Sequence, residues 1–248
     1  MTLQAVEPSP GVPFVIGSLG SLGSLGSSPR FAPHALYSPL VVCLLTGGCT
    51  RALDRDRCEV YAADIVDFSP GEGAGFGQDR LPDVVLGPPQ GAPEGRGATD
   101  VLSLGTFGSI TVALAERVLD APGLAELVVF ENPFVIAGTD VVYAEWGEVA
   151  VSDDGETFIP FPCDANTGEG CAGRTPVGEE GSLLERGGDP FDLSDIGLGA
   201  VRYVRISDVG APARPLGAGA DGFDLDGVGA VNIHGAPHCR ERGSPSVR

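Results

Sequence analysis

The chain has 248 residues and a formal net charge of −19, and it contains no lysine. Such acidity argues against binding to nucleic acid or to an anionic membrane surface, since both reward positive charge. Hydrophobic residues make up 42% of the chain, which is enough for one core. The 38 glycines and 21 prolines favour many turns and short strands over long helices.

Residues 1–48 are predicted to be a low-complexity N-terminus followed by an export signal. Ser-Leu-Gly occurs three times over residues 18–26, and the apolar run at 35–45 has the length of a signal-peptide core. The run leads into Thr-Gly-Gly-Cys, which resembles the lipobox of bacterial lipoproteins, although Thr46 replaces the usual leucine. This pattern predicts lipidation of Cys49 and anchoring at the outer membrane or cell surface. An ordinary secretory signal, cut near the same place, is the alternative and would leave the protein periplasmic or secreted.

The mature part is predicted to be one all-β domain. Residues 49–59 are interpreted as a tether, 60–239 as a β-sandwich and 240–248 as a disordered tail. Nine short strand candidates separated by Gly/Pro turns are typical of a sandwich or jelly roll. The candidates are 60–68, 83–86, 100–104, 109–114, 126–131, 141–151, 157–161, 201–206 and 227–233. Short helical turns are expected only near 113–119 and 193–197.

A β-hairpin is predicted within residues 148–161. Val149 and Val151 alternate with smaller or polar residues, and a strand-type run resumes at Thr157. The tip at residues 152–155 contains Asp154-Gly155, a pair that tolerates positive φ. Two strands alone are marginal in water, so neighbouring strands must pair or pack with this hairpin.

Acidic clusters in the second half of the domain predict a structural calcium site. Neighbouring carboxylates repel unless a proton or a cation lies between them, and Ca²⁺ prefers oxygen ligands. A solvated acidic edge is the alternative interpretation. The candidate ligands are Asp189, Asp192, Asp221, Asp224, Asp226, Glu131 and Asn132.

Two further sets of residues are candidates for carbohydrate chemistry. Trp146, the only tryptophan, follows Tyr143 and Glu145, and aromatic faces stack on sugar rings while a carboxylate accepts hydroxyl hydrogen bonds. The competing interpretation makes Trp146 a core residue, because large aromatics dominate core burial. Glu131 and Glu145 could form the carboxylate pair of a glycoside hydrolase.

Most of the mature sequence resembles a family of bacterial cell-surface proteins, many of them secreted or surface-anchored. The hairpin Ser-Asp-Asp-Gly-Glu-Thr-Phe and the strand Val-Arg-Tyr-Val-Arg-Ile are also similar to discoidin and coagulation-factor type C domains. Those domains are galactose-binding-like jelly rolls that bind glycans or lipid headgroups through loops at one end. The matching segments are 70–71, 85–87, 102–105, 129–132, 151–155, 188–193, 201–206 and 222–226.

Two disulfides are expected in an exported fold of this kind. Four cysteines remain once the signal and the lipidated cysteine are set aside, which allows three pairings. We expect Cys163–Cys171, which closes a short polar loop, and Cys58–Cys239, which ties the first strand region to the last, because chain ends often meet in such domains.

The expected function is a non-enzymatic binding or structural module at the bacterial cell surface. A glycan or another surface component is the expected partner, and no nucleic acid is expected. A hydrolase with paired acidic residues and a purely structural coat protein are the two alternatives. The sequence leaves the oligomeric state open.

Overall fold

The structure, a computed structural model, describes residues 58–93, 96–121, 123–210 and 222–232. Statements about the fold below refer to these ranges. The predicted export signal, the predicted lipidation site Cys49 and the predicted tail lie outside them.

Strands dominate the described ranges, and the helical pieces are single 3₁₀ turns at Gln78–Arg80 and Leu193–Ile196. None of the helical turns within these ranges has the length and apolar character needed to cross a membrane. The strands are β1 (Cys58–Ser69), β2 (Leu102–Ser103), β3 (Ser109–Leu119), β4 (Leu127–Glu131), β5 (Phe134–Val135), β6 (Val142–Tyr143), β7 (Gly147–Ser152), β8 (Ile159–Pro160), β9 (Asp189–Phe191), β10 (Ala200–Asp208) and β11 (Asp224–Asn232).

Nine of these strands form two antiparallel sheets that share β1, and β5 pairs with β6 in a separate two-stranded sheet. The first sheet has the order β9-β4-β11-β1, with β2 also paired to β11, and the second has the order β8-β7-β10-β3-β1. Cys58–Tyr61 pair with β11, whereas residues from Ala62 onward pair with β3. A register shift between Ala62 and Asp64 marks the change of partner, as expected where a bulge bends a strand. The prediction of an all-β sandwich is confirmed.

Side chains from both sheets fill one main core. Strand β4 shows why the fold buries so much of the chain: Leu127 and Val129 contribute to the main core, whereas Val128 and Phe130 pack in a second cluster with Val177 and Leu183. Because side chains alternate between the faces of a strand, β4 is covered on both faces. The unbroken apolar run of its sequence is the signature of such a strand.

Three local predictions were wrong. Residues 113–119 belong to β3 rather than to a helix, because β3 pairs with β1 on one side and β10 on the other. Tertiary pairing of this kind overrides local helix propensity. Residues 83–86 form turns and bends rather than a strand, and Cys58 and Glu59 belong to β1 rather than to a tether. The predicted helical turn near 193–197 is confirmed.

The predicted hairpin is present as β7 and β8. At its tip the Ser152 hydroxyl accepts a hydrogen bond from the Gly155 N–H at 2.9 Å and donates to Asp154 Oδ1 at 2.9 Å. Gly155 has φ of 79°, where a glycine is favoured. The hairpin lies at one edge of its sheet, with β8 outermost.

The expected short disulfide, Cys163–Cys171, is present. Cys58 is also disulfide-bonded. Its expected partner, Cys239, lies outside the described residues.

Candidate functional site

An open groove lies between the disulfide-closed loop and the edge strand β9. Its volume is 1030 Å³. Phe161 and Phe191 contact each other at its base, with ring centroids 4.9 Å apart and a tilt of 51°. The other lining residues are mainly exposed polar and proline residues: Pro162, Cys163, Asp164, Glu169, Gly170, Cys171, Arg174, Asp189, Pro190 and Asp195.

The loop that forms one wall is held tightly by its own contacts. The Cys163–Cys171 disulfide closes it, and the backbone carbonyl of Asp164 accepts a hydrogen bond from the Gly168 N–H at 2.7 Å. Gly168 has φ of 74° and lies against the ring of Trp146, so a Cβ at this position would collide with the indole. The loop therefore needs a glycine there, and Trp146 supports it from below.

Asp189 fixes the segment that carries Arg174 on the other side of the groove. One carboxylate oxygen accepts hydrogen bonds from the backbone N–H groups of Gly173 at 2.7 Å and Arg174 at 2.8 Å. The other accepts one from the Thr175 hydroxyl at 2.9 Å. Burial raises the pKa of Asp189, while these three donors oppose that rise. Asp189 is thus a positioning residue, and Arg174 is left exposed in the groove.

The groove combines acceptors, one cation and apolar surfaces. Asp164, Glu169 and Asp195 are exposed carboxylates that can accept hydrogen bonds from hydroxyl groups. A hydrogen bond from the Asn166 backbone N–H lowers the pKa of Asp164. Convergent polar groups around an apolar base are typical of small-ligand sites.

The residues predicted to bind glycan are largely buried. Trp146 is 8% exposed and packs in a small cluster with Ala144 and Cys171, which agrees with the core interpretation. Glu145 is 5% exposed. Tyr143 is half-buried and stacks on Phe134, with ring centroids 4.9 Å apart. None of the three lines the groove.

The residues predicted to bind calcium do not converge on one ion. Asp192 lies beside Glu126, because the Leu193 N–H donates to Glu126 Oε2 at 3.2 Å. Glu131 lies at the opposite end of β4, five residues further on, or about 16 Å along an extended strand. A single ion cannot bridge that distance, so Asp192 and Glu131 cannot be ligands of the same ion.

Two of the other predicted calcium ligands, Asp226 and Asn132, accept hydrogen bonds from backbone N–H groups instead. Asp226 accepts hydrogen bonds from the Gln90 and Gly91 N–H groups, both at 2.8 Å, and so attaches a loop to β11. Burial raises the pKa of Asp226, opposed by these two donors. Asn132 accepts a hydrogen bond from the Ala98 N–H at 2.5 Å. Asp221 lies outside the described residues.

A different acidic group has the spacing of a metal site. Asp120, Glu126 and Asp192 each place one oxygen within 4.8 Å of the others. Ser194 joins two of them, because its hydroxyl donates to Asp120 Oδ1 and its N–H donates to Asp192 Oδ1, both at 2.8 Å. The sequence prediction included only Asp192 from this group, because Asp120 and Glu126 precede it by more than 60 residues.

The two glutamates considered as a hydrolase pair are close enough for their charges to interact, since Glu145 raises the pKa of Glu131. Burial is the larger cause of that rise, and Glu131 is only 2% exposed. Neither glutamate lines the groove, so a polysaccharide bound there would not meet them.

No protein-family model matches the chain, and no curated protein matches it. Among solved structures, it is similar to a pectin-binding carbohydrate-binding module, at 13% sequence identity and a TM-score of 0.34. The similarity covers 68% of this chain and 91% of that chain.

Proposed function

We propose that this domain is a non-catalytic glycan-binding module displayed outside the cell. The observation that carries the proposal is the groove, in which exposed carboxylates and Arg174 surround the Phe161–Phe191 base. Sugars present both hydroxyl groups and apolar C–H faces, and this combination of polar and apolar surfaces suits both. The disulfide and the Asp189 hydrogen bonds hold the two walls before any ligand arrives, which lowers the cost of binding.

The charge of the groove favours a neutral glycan. Three exposed carboxylates and the buried Asp189 face a single arginine, in a protein whose net charge is −19. A uronic-acid polymer would bring further negative charge into this field, and like charges at close range are unfavourable. Neutral polysaccharides avoid this penalty and still supply hydroxyl donors.

The proposed location is the bacterial cell surface, with Cys49 as a lipidated anchor. The lipobox-like segment Thr-Gly-Gly-Cys at residues 46–49 supports this part of the proposal. Metabolic labelling of producing cells with a palmitate analogue tests it. We expect labelled wild-type protein and unlabelled Cys49→Ala, whereas equal labelling of the two would contradict lipidation at Cys49.

A structural Ca²⁺ is proposed at Asp120, Glu126 and Asp192. These residues join the end of β3, the start of β4 and the turn after β9. Three carboxylates from three segments supply hard oxygen ligands, and an ion there would hold the segments together. Its role would be stabilisation, because a ligand that binds only the folded state raises stability by mass action.

Binding to immobilised polysaccharides tests the glycan proposal. We expect binding to at least one neutral glycan, with affinity reduced on the order of tenfold in Arg174→Ala and in Asp164→Ala, the usual scale for losing one charged hydrogen bond. Asp67→Ala is the matched control, because Asp67 is an exposed acid on β1 outside the groove. Equal losses in all three variants, or binding to uronic-acid polymers alone, would contradict the proposal.

The two alternatives are separated in the same experiment. A hydrolase would release new reducing ends from the bound polysaccharide, and Glu131→Gln would abolish the release. A structural coat protein would bind none of the polysaccharides. We expect binding without release of reducing ends.

A further inference from the structure

Phe107 combines an exposed aromatic ring with a backbone conformation that costs energy. It is 75% exposed, more than any other large hydrophobic residue of the described ranges. Its φ of 60° is the only positive value for a non-glycine residue within those ranges. A left-handed backbone costs roughly 1–2 kcal/mol for a residue with a side chain. The fold therefore places an aromatic ring in solvent at a position that glycine would occupy without strain.

The turn that carries Phe107 is fixed by contacts with two other segments. Residues 105–108 form a tight turn, closed by a hydrogen bond of 2.8 Å from the last N–H to the first carbonyl. Phe107 occupies the third position, where a positive φ usually requires glycine or asparagine. Thr106 and Glu72 exchange backbone hydrogen bonds of 2.8 and 3.2 Å, and buried Asp208 accepts one from the Phe107 N–H at 2.9 Å. Strain that the surroundings maintain in this way is typical of functional positions.

The ring of Phe107 lies against the backbone of Gly210. A Cβ added at Gly210 would collide with the ring carbons, so the two are in direct contact. The Gly210 N–H donates to Asp208 at 2.8 Å, and the same carboxylate thus fixes both the turn and the backbone beside the ring. A ring positioned before the ligand arrives loses little further freedom on binding.

Phe107 lies at the same end of the sandwich as the groove, although it does not line the groove. Val209, the residue before Gly210, donates its N–H to the Trp146 carbonyl at 3.1 Å. Val209 also packs against the cluster that contains Trp146 and Cys171. Because that cluster supports the disulfide-closed loop, the groove wall and the backbone beside the Phe107 ring are connected through Val209.

The size and charge of this feature indicate its ligand. A single ring is far smaller than the roughly 800 Å² that each partner buries in a stable protein interface. The exposed carboxylate of neighbouring Glu72, in a chain of net charge −19, disfavours contact with an anionic membrane. A sugar ring, in contrast, presents an apolar C–H face that matches one aromatic ring. We infer that Phe107 stacks on one sugar ring of a neutral glycan, as a second contact outside the groove; this inference rests on the proposed glycan function.

Isothermal titration calorimetry of the full chain with three soluble neutral polysaccharides, galactomannan, xyloglucan and mixed-linkage β-glucan, tests the inference. Phe107→Gly should weaken binding of the preferred polysaccharide on the order of tenfold, the scale for uncovering one aromatic ring. Phe107→Tyr keeps the ring and should bind within about twofold of wild type. Val66→Ala is the matched control, because Val66 is another exposed apolar residue, 52% exposed on β1, and should bind as wild type does.

The melting temperature of Phe107→Gly separates a ligand contact from a structural role. Glycine adopts a φ of 60° without strain, so the melting temperature should stay within about 2 °C of wild type. A larger fall would assign the ring a structural role and overturn the inference.

Two further outcomes would contradict the inference in distinguishable ways. Wild-type affinity in Phe107→Gly, while Arg174→Ala still weakens binding, would overturn the role of Phe107 alone. Failure of the wild-type chain to bind any of the three polysaccharides would reject the proposed function and this inference with it. Phe107-dependent binding to phosphatidylcholine vesicles, with unchanged polysaccharide affinity, would assign the ring to a lipid surface instead.

Discussion

Two neighbouring residues at the start of β11 meet buried carboxylates in opposite settings. The Phe223 N–H donates to Asp208 at 3.0 Å, and Asp208 also accepts from the N–H groups of Phe107 at 2.9 Å and Gly210 at 2.8 Å. One residue further on, the Asp224 N–H reaches Glu131 only at 3.4 Å, and Asp224 and Glu145 add like charge. Asp208 faces three backbone donors, whereas Glu131 combines two backbone donors with the charges of two other acids.

This difference separates a carboxylate whose charge the fold stabilises from one whose charge the fold disfavours. Asp208 joins three segments through three backbone donors and requires nothing else. Its hydrogen bond to Phe107 also holds a bulky residue at φ of 60°, a conformation that non-glycine residues rarely adopt. Backbone N–H groups of Asp224 and Asn132 lower the pKa of Glu131, but burial and the charges of Asp224 and Glu145 raise it by more, so the fold favours the neutral acid.

The largest effect is expected for Asp208→Ala. Removing this acceptor leaves three backbone N–H groups without their partner, which should lower the free energy of unfolding by about 3–4 kcal/mol. Urea unfolding monitored by the fluorescence of the buried Trp146 measures it. Asp67→Ala, on the exposed part of β1, is the control and should change stability by less than about 0.5 kcal/mol. Similar values for the two variants would show that Asp208 is not a structural carboxylate.

The disulfide provides a covalent reference for the Asp208 contacts. Replacing both Cys163 and Cys171 with alanine opens a loop of sequence separation 8. The chain-entropy estimate for so short a loop is about 2–3 kcal/mol. The same urea experiment measures the loss, with Asp67→Ala as the control. A loss below about 1 kcal/mol would mean that hydrogen bonds alone hold this wall of the groove.

Glu131→Gln should act in the opposite direction at high pH. The pKa of Glu131 is raised in the folded state, so its contribution to stability is present at acid pH and is lost as the pH rises through that folded-state pKa. The amide cannot ionise. In EDTA at pH 8, the free energy of unfolding of the variant should therefore exceed that of wild type by about 1 kcal/mol. Melting curves from pH 4 to pH 8 should show this difference growing with pH. A difference that does not change with pH would rule out ionisation of Glu131 as the cause.

The smallest effect on stability is expected for the solvent-exposed ion pair of Arg117 and Asp153. Arg117 contacts Asp153 through two hydrogen bonds of 2.5 and 2.6 Å, but their side chains are 53% and 38% exposed. Water and salt screen such pairs, so Arg117→Ala should cost about 0.5 kcal/mol or less. Urea unfolding at low and high salt measures it. A loss of stability comparable to that of Asp208→Ala would contradict the view that burial makes the Asp208 contacts stronger than the exposed Arg117–Asp153 pair.

The sequence predicted the fold well because strand alternation is a local property. The alternation at Ile110, Val112 and Leu114 correctly placed the start of β3. It missed the extension of β3 to Leu119, because only pairing with β1 and β10 makes those residues a strand. The cysteine spacing was sufficient to predict Cys163–Cys171 as a short loop closure.

The sites were much harder to predict, because they join residues that are distant in sequence. Nothing local links Asp164 to Asp195, which meet only because β9 pairs with β4 at the edge of the sheet. The acidic segments around Asp189 and Asp224 looked like one calcium site, yet β4 lies between β9 and β11. The sequence also could not show that backbone N–H groups would donate hydrogen bonds to the carboxylates of Asp189 and Asp226.

The most direct test of the proposed glycan function is to map the bound ligand by NMR. A ¹⁵N-labelled domain is titrated with a neutral oligosaccharide taken from the best-binding polysaccharide. We predict saturable shifts of backbone signals from residues 161–174 and 189–195, around the groove, and their loss in Arg174→Ala. Shifts confined to other surfaces, or no shifts with any neutral oligosaccharide, would contradict the assignment of the groove as the glycan site.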